Sequence, residues 1–129
     1  MLEKNNQGYI VSSVGKFSGE MPYTVFYSKK SYIKNNQDTI KKFTKAISKG
    51  LNYVNNNEPK DIAKIISKQF PDNSITELEV MIKHYKEADT WLKNSTVCEK
   101  ALKNLEDLLI KNKLIDGYVP FNKLVINYE

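Results

Sequence analysis

Two short runs of β-branched and aromatic residues stand at the head of this sequence, and nearly everything after them carries helical periodicity. The first run, Tyr9-Ile10-Val11-Ser12-Ser13-Val14, lies between Gly8 and Gly15; the second, Pro22-Tyr23-Thr24-Val25-Phe26-Tyr27, follows Gly19 and stops at Lys29-Lys30. Both read as strands. Two strands do not make an independently stable sheet without further strands or close helical cover. A sheet covered on both faces draws its strands from more sequence than this. The order therefore predicts an α-rich piece of a larger α/β protein, or a chain that completes its sheet with a partner.

The helical stretch divides cleanly. Ser31-Tyr32-Ile33-Lys34 fits a short first turn. Ile40, Phe43, Ile47, Leu51 and Val54 then step by three or four residues, the apolar stripe of an amphipathic helix, with Asn36 placed to cap it. Pro59 is suited to the first position of a helix carrying Ile62, Ile65, Ile66 and Phe70 inward, ended by Pro71. Ser74-Ile75-Thr76-Glu77 spells a capping box for a helix with Leu78, Met81, Ile82 and Tyr85 on its inner face. Thr96-Val97-Cys98-Glu99 spells a second, before a helix using Leu102, Leu105 and Leu109. Gly117 breaks the pattern, and residues 120–125 predict a terminal turn or short helix. No internal repeat or heptad array is present.

Composition excludes several classes. The chain has 129 residues, enough for one domain. All 20 basic residues are Lys, and the formal net charge is +5. Without Arg forks for phosphates and guanine edges, a dedicated nucleic-acid binder is not indicated, and the lysines read as a solvated surface. Cys98 is the single cysteine, so no disulfide forms within the chain, and its place beside Val97 suggests a buried structural thiol. His84, the single histidine, falls on a different helix from Cys98 and reads as a surface or packing residue. Asp38, Asp61, Glu77, Glu99, Glu106 and Asp107 read as helix-start or solvated acids, with no spacing that suggests a carboxylate pair or a metal site. There is no nucleophile elbow, phosphate-binding loop or dinucleotide fingerprint. No catalytic residues, metal or cofactor are assigned. The start, Met1-Leu2-Glu3-Lys4-Asn5-Asn6, is followed by no apolar signal-peptide core.

Several segments in order carry a resemblance: residues 8–15 with Gly8 and Gly15, then Ser18-Gly19-Glu20-Met21-Pro22-Tyr23-Thr24-Val25-Phe26, Lys30-Ser31-Tyr32-Ile33-Lys34-Asn35-Asn36, residues 40–47, and Tyr85 with Asp89-Thr90-Trp91. Together they resemble the C-terminal half of ABC-transporter substrate-binding proteins of the nitrate/sulfonate/thiamine-precursor (pyrimidine-synthase-like) class. Gln37 stands where that class would place Pro at the start of the long helix. The resemblance implies part of a type-2 periplasmic-binding fold, two α/β lobes that close on a ligand by hinge motion. Residues 1–20 would be the end of the second lobe or a hinge crossing, and residues 21–129 the C-terminal part of the first. It further implies an extracytoplasmic, membrane-anchored (lipoprotein) or secreted parent, working with an ABC permease and an ATPase. Exposed sheet edges would permit a homodimer or strand-exchanged oligomer.

On that map the loop before the second strand faces the ligand, since ligands of open α/β sheets bind beyond the carboxyl ends of strands. Ser18 and Gly19 offer a hydroxyl and a backbone N–H, Glu20 accepts from an amino-pyrimidine or other cationic edge, Tyr23 stacks on a planar ligand and Thr24 adds a hydroxyl. Trp91 lines the same pocket or packs where two helices meet. The ligand would be a thiamine-precursor pyrimidine, a sulfonate, nitrate or a similar small solute. Two other readings stay open: a free-standing α+β protein-interaction domain without a transport role, and an enzyme of the same fold.

Overall fold

A computed structural model describes residues 5–128; the start of the chain at Met1-Leu2-Glu3-Lys4 lies outside the described residues. Among the described residues seven α-helices follow one another: α1 (Val14–Ser18), α2 (Lys30–Asn35), α3 (Gln37–Asn56), α4 (Pro59–Ile66), α5 (Ile75–Glu87), α6 (Glu99–Lys111) and α7 (Phe121–Leu124). A 3₁₀ turn, Ser67–Gln69, extends α4 before Pro71.

The core is a helical hairpin of α4 and α5. Ile62 and Ala63 of α4 meet Leu78 and Ile82 of α5, all four buried. Tyr53 and Val54 of α3, Ile66 and Trp91 pack around them. Each buried pair follows helical geometry, with Leu78 and Ile82 four residues apart on one face. Pro59 occupies the first turn of α4 after Glu58, as its fixed backbone angle favours. Ser74 caps α5 through the expected box: its hydroxyl accepts from the Glu77 N–H at 3.2 Å, and the Glu77 carboxylate accepts from the Ser74 N–H at 3.0 Å.

Long-range polar contacts join α3 to α5 and to the segment that follows it, and the C-terminal segment to the start of α6. The Lys86 ammonium donates to the carbonyls of Val54 (2.9 Å) and Asn57 (2.6 Å), tying α5 to the C-terminal end of α3. Asn55 donates to the Leu92 carbonyl at 3.0 Å, and the Ser48 and Ser95 hydroxyls share a hydrogen bond of 2.7 Å. Val97 and Asn127 exchange two bonds, fixing the C-terminal segment beside the start of α6.

The expected α/β architecture is corrected. No strand or bridge occurs among the described residues, and the two runs expected as strands have no regular structure or, from Val14, are helical. A strand exists only through a ladder with a neighbour, and no such ladder forms with either run among the described residues. The same finding removes the β part of the α+β alternative and the sheet edges expected to drive strand exchange. Tyr9, Val11, Val14, Phe17, Tyr23, Phe26 and Tyr27 are each at least three quarters exposed. Phe26 still meets Phe43 of α3 edge to face, with ring centres 4.8 Å apart.

Smaller expectations change too. Ile65, Phe70, Met81 and Tyr85 are exposed, because the hairpin covers only the narrow arc around Ile62 and Ile82. The second capping box does not form. Thr96 hydrogen-bonds Asn94, and exposed Cys98 takes the N-cap position of α6 without a side-chain bond. Asn36 occupies the N-cap position of α3, but its amide donates back to the Tyr32 carbonyl at 2.9 Å, closing α2.

Candidate ligand-binding site

The stretch from Ser18 to Thr24 leaves α1 through a glycine. Gly19 has φ of +75°, a conformation costly for any residue with a Cβ. The Ser18 hydroxyl donates to the Gly19 carbonyl at 3.3 Å. One tether holds the loop: the Asn104 side-chain amide, on α6, donates to the Glu20 carbonyl at 3.1 Å. Met21 and Pro22 are half-buried, whereas the Glu20 side chain, Tyr23 and Thr24 face solvent. Tyr23 is 98% exposed. The stretch therefore exposes a carboxylate, the hydroxyls of Ser18 and Thr24 and an aromatic ring within seven residues of chain. These are the groups that grip a small polar, planar molecule once a second surface closes over them.

Trp91 is placed elsewhere. It packs on the α4–α5 core and meets Tyr85, ring centres 5.6 Å apart at 41°. Ser18, Gly19, Glu20, Tyr23 and Thr24 are neighbours along the chain, and among the described residues no hydrogen bond or ring contact joins Trp91 to them.

A separate polar cluster sits on α6. Glu106, expected as a solvated acid, is only 6% exposed and accepts from the Val119 N–H at 3.0 Å, clasping the segment before α7 onto α6. Its spacing, four residues after Leu102 and three before Leu109, puts it in the helix's apolar row, which is the sequence signal for its burial. Asp107 accepts from Lys103 at 2.8 Å and from the Tyr118 hydroxyl at 2.5 Å, and the Lys103 ammonium lies 4.8 Å from the Tyr118 ring centre. The Lys103 hydrogen bond, then that of Tyr118, holds the Asp107 carboxyl below its ordinary range. The bond to Asp107 raises Lys103 in turn. An open cleft of about 340 Å³ lies against this cluster, lined by Glu99, Lys103, Glu106, Tyr118, Val119 and Phe121. None of the loop residues lines it.

Among the described residues no group of three or more His, Cys, Asp or Glu side chains is arranged to hold a metal ion.

Comparison with known proteins adds two matches. Residues 6–61 match the family described as NMT1/THI5 like. Over 125 residues the chain is 38% identical to "Putative binding protein YtlA" of Bacillus subtilis (strain 168), covering 97% of this chain and 37% of that relative's length. No solved structure matches. The chain is thus similar to the NMT1/THI5 like family over residues 6–61, and it spans a little over a third of the length of the binding protein that it matches.

Proposed function

We propose, taking kinship with the NMT1/THI5-like substrate-binding proteins as the premise, that this chain forms part of the solute-binding component of an ABC importer. Residues 1–20 end the second lobe or cross the hinge, residues 21–129 complete the first lobe, and the solute lies in the cleft between lobes. The parent acts outside the cytoplasm, anchored to the membrane or secreted, and delivers its solute to a permease driven by an ATPase.

The observation that carries this reading is the loop of Ser18, Gly19, Glu20, Tyr23 and Thr24. It is pinned by Asn104, yet turns its carboxylate and its aromatic ring to solvent. A buried aromatic would serve packing; one 98% exposed on a tethered loop is available to stack on a ligand. Glu20 favours a ligand with N–H donors, and this chain has no Arg with which to clamp a sulfonate, so an aminopyrimidine is the solute that fits these groups best. Trp91 contributes from the edge of the helical core.

The test is calorimetric titration with an aminopyrimidine, an alkylsulfonate and nitrate. The expected result is saturable heat with the aminopyrimidine, weakened at least tenfold by Tyr23→Ala and by Glu20→Gln but not by Tyr27→Ala. Heat with nitrate that ignores Tyr23 and Glu20, or no heat with any of the three, overturns the reading.

A further inference from the structure

The chain's excess positive charge is confined to one region. Residues 29–56 contain Lys29, Lys30, Lys34, Lys41, Lys42, Lys45 and Lys49 against the single acid Asp38, a net +6 where the whole chain carries +5. The remainder of the chain is nearly neutral.

Within this region α3 sorts its residues by face. Ile40, Ile47, Leu51 and Val54 are half-buried on the inner side. At about 100° per residue, Lys41, Lys42, Lys45 and Lys49 fall on the opposite arc, over roughly 12 Å of helix axis. All seven lysines are exposed, and none takes part in the ion pairs found among the described residues, which are Lys64–Asp61, Lys83–Glu87 and Lys103–Asp107. On the outer face of α3 the only acid is Asp38, in the first turn, three residues before Lys41 and four before Lys42, so Lys45 and Lys49 have no acid three or four residues away. Like charges one turn apart repel, so an unneutralised row of this kind costs helix stability unless an external anion offsets it.

We infer that the outer face of α3 docks on an anionic phospholipid surface, with Lys41, Lys42, Lys45 and Lys49 against the headgroups. Between Lys41 and Lys49 this arc carries no aromatic side chain, Phe43 falling nearer the inner side. It therefore has nothing on which bases would stack and no Arg fork to read them, whereas a laterally mobile array of headgroup charges needs neither. The apolar stripe is turned inward, so attachment is electrostatic and without insertion, and salt reverses it. No described helix is long and apolar enough to cross a membrane. The choice of lipid over nucleic acid rests on the extracytoplasmic setting typical of substrate-binding proteins, while the attachment itself is independent of which solute is bound.

The test is co-sedimentation with phosphatidylcholine vesicles, with and without about one third phosphatidylglycerol, at low and high salt. Partitioning is expected on the anionic vesicles only, and is lost at about 0.5 M salt, where the Debye length falls to a few ångströms. Each lysine near an anionic surface contributes about fivefold, so Lys41→Gln, Lys45→Gln and Lys49→Gln together reduce partitioning by about 100-fold. Lys68→Gln, Lys111→Gln and Lys123→Gln together, the same change in net charge on other elements, reduce it less than threefold. Circular dichroism of the α3 variant should match the parent, since the substituted side chains are exposed and unpaired. Equal losses for both triple variants, or binding that ignores phosphatidylglycerol, overturns the proposal, and so does preference for duplex DNA over the vesicles at equal anion concentration. Vesicle binding without any solute binding would leave this inference standing and remove the importer reading instead.

Discussion

Lys86 offers a direct measurement of how this small protein holds its long helix. Its ammonium bridges two carbonyls at the C-terminal end of α3, Val54 at 2.9 Å and Asn57 at 2.6 Å, from a half-buried position on α5. Lys86→Met keeps the side chain's length and apolar stem but removes the charge. Each charge-assisted bond contributes about 1.5 kcal/mol at the lower end of its range, the end suited to a group that solvent still reaches. A cation at a helix C-terminus adds a few tenths more. The carbonyls left behind can bond water, which offsets part of the loss, so the expected cost is about 2–3 kcal/mol. An unfolding entropy of about 2.1 cal/mol/K per residue over 129 residues converts this to a fall in Tm of about 7–11 °C. Urea unfolding followed by circular dichroism at 222 nm gives the same quantity from the midpoint and slope. Lys83→Met is the control. Lys83 lies on the same helix, and its pair with Glu87, 3.9 Å apart and largely exposed, contributes little. Equal effects from the two variants, or a loss under 0.5 kcal/mol from Lys86→Met, would show that α3 is held by its apolar stripe alone.

Three further outcomes follow from the same structure. Ile82→Ala leaves a cavity in a core of four buried side chains and should cost about 2–4 kcal/mol, read from urea unfolding; a cost below 1 kcal/mol would mean that the α4–α5 hairpin is not the core. Lys113→Gly should stabilise by about 0.5–1 kcal/mol in the same assay, because Lys113 holds φ of +57° where α6 ends in a Schellman turn, and a destabilisation would count against that geometry. The Asp107 carboxyl, held down by Lys103 and Tyr118, should titrate by NMR below its ordinary 3.8 and move back toward it in Tyr118→Phe. Its folded value is depressed, so its contribution to stability is present above 3.8 and lost as the pH falls through the folded value; an unshifted midpoint would refute the pairing.

What could be read from the chain in advance was local. The periodicity of α3, the proline opening α4, the Ser74–Glu77 box of α5 and the short C-terminal helix depend on residues within a few positions of one another, and all four are in place. The glycines and polar groups of residues 15–21 single out a loop there, but Asn104, which tethers it at Glu20 from 84 residues away, carries no signal of its own. The ends of α5 and α6 were hard to place for another reason. Asp89 and Lys113 take the positive-φ positions that glycine usually marks.

The two apolar runs at the head of the chain mark the boundary between the two kinds of information. The helices from α3 onward are legible in the chain alone, since i to i+4 hydrogen bonds close within a segment and need no distant partner, whereas α1 lies where a strand end and a loop are expected. The chain alone also shows which residues near the N-terminus are apolar. Only the tertiary structure decided that Tyr9, Val11, Tyr23 and Tyr27 stay uncovered, that Glu106 is buried while Cys98 is exposed, and that Trp91 joins the helical core. A strand ladder, a buried carboxylate and a packed indole each require a partner far along the chain, and the presence of that partner is not written in the segment itself.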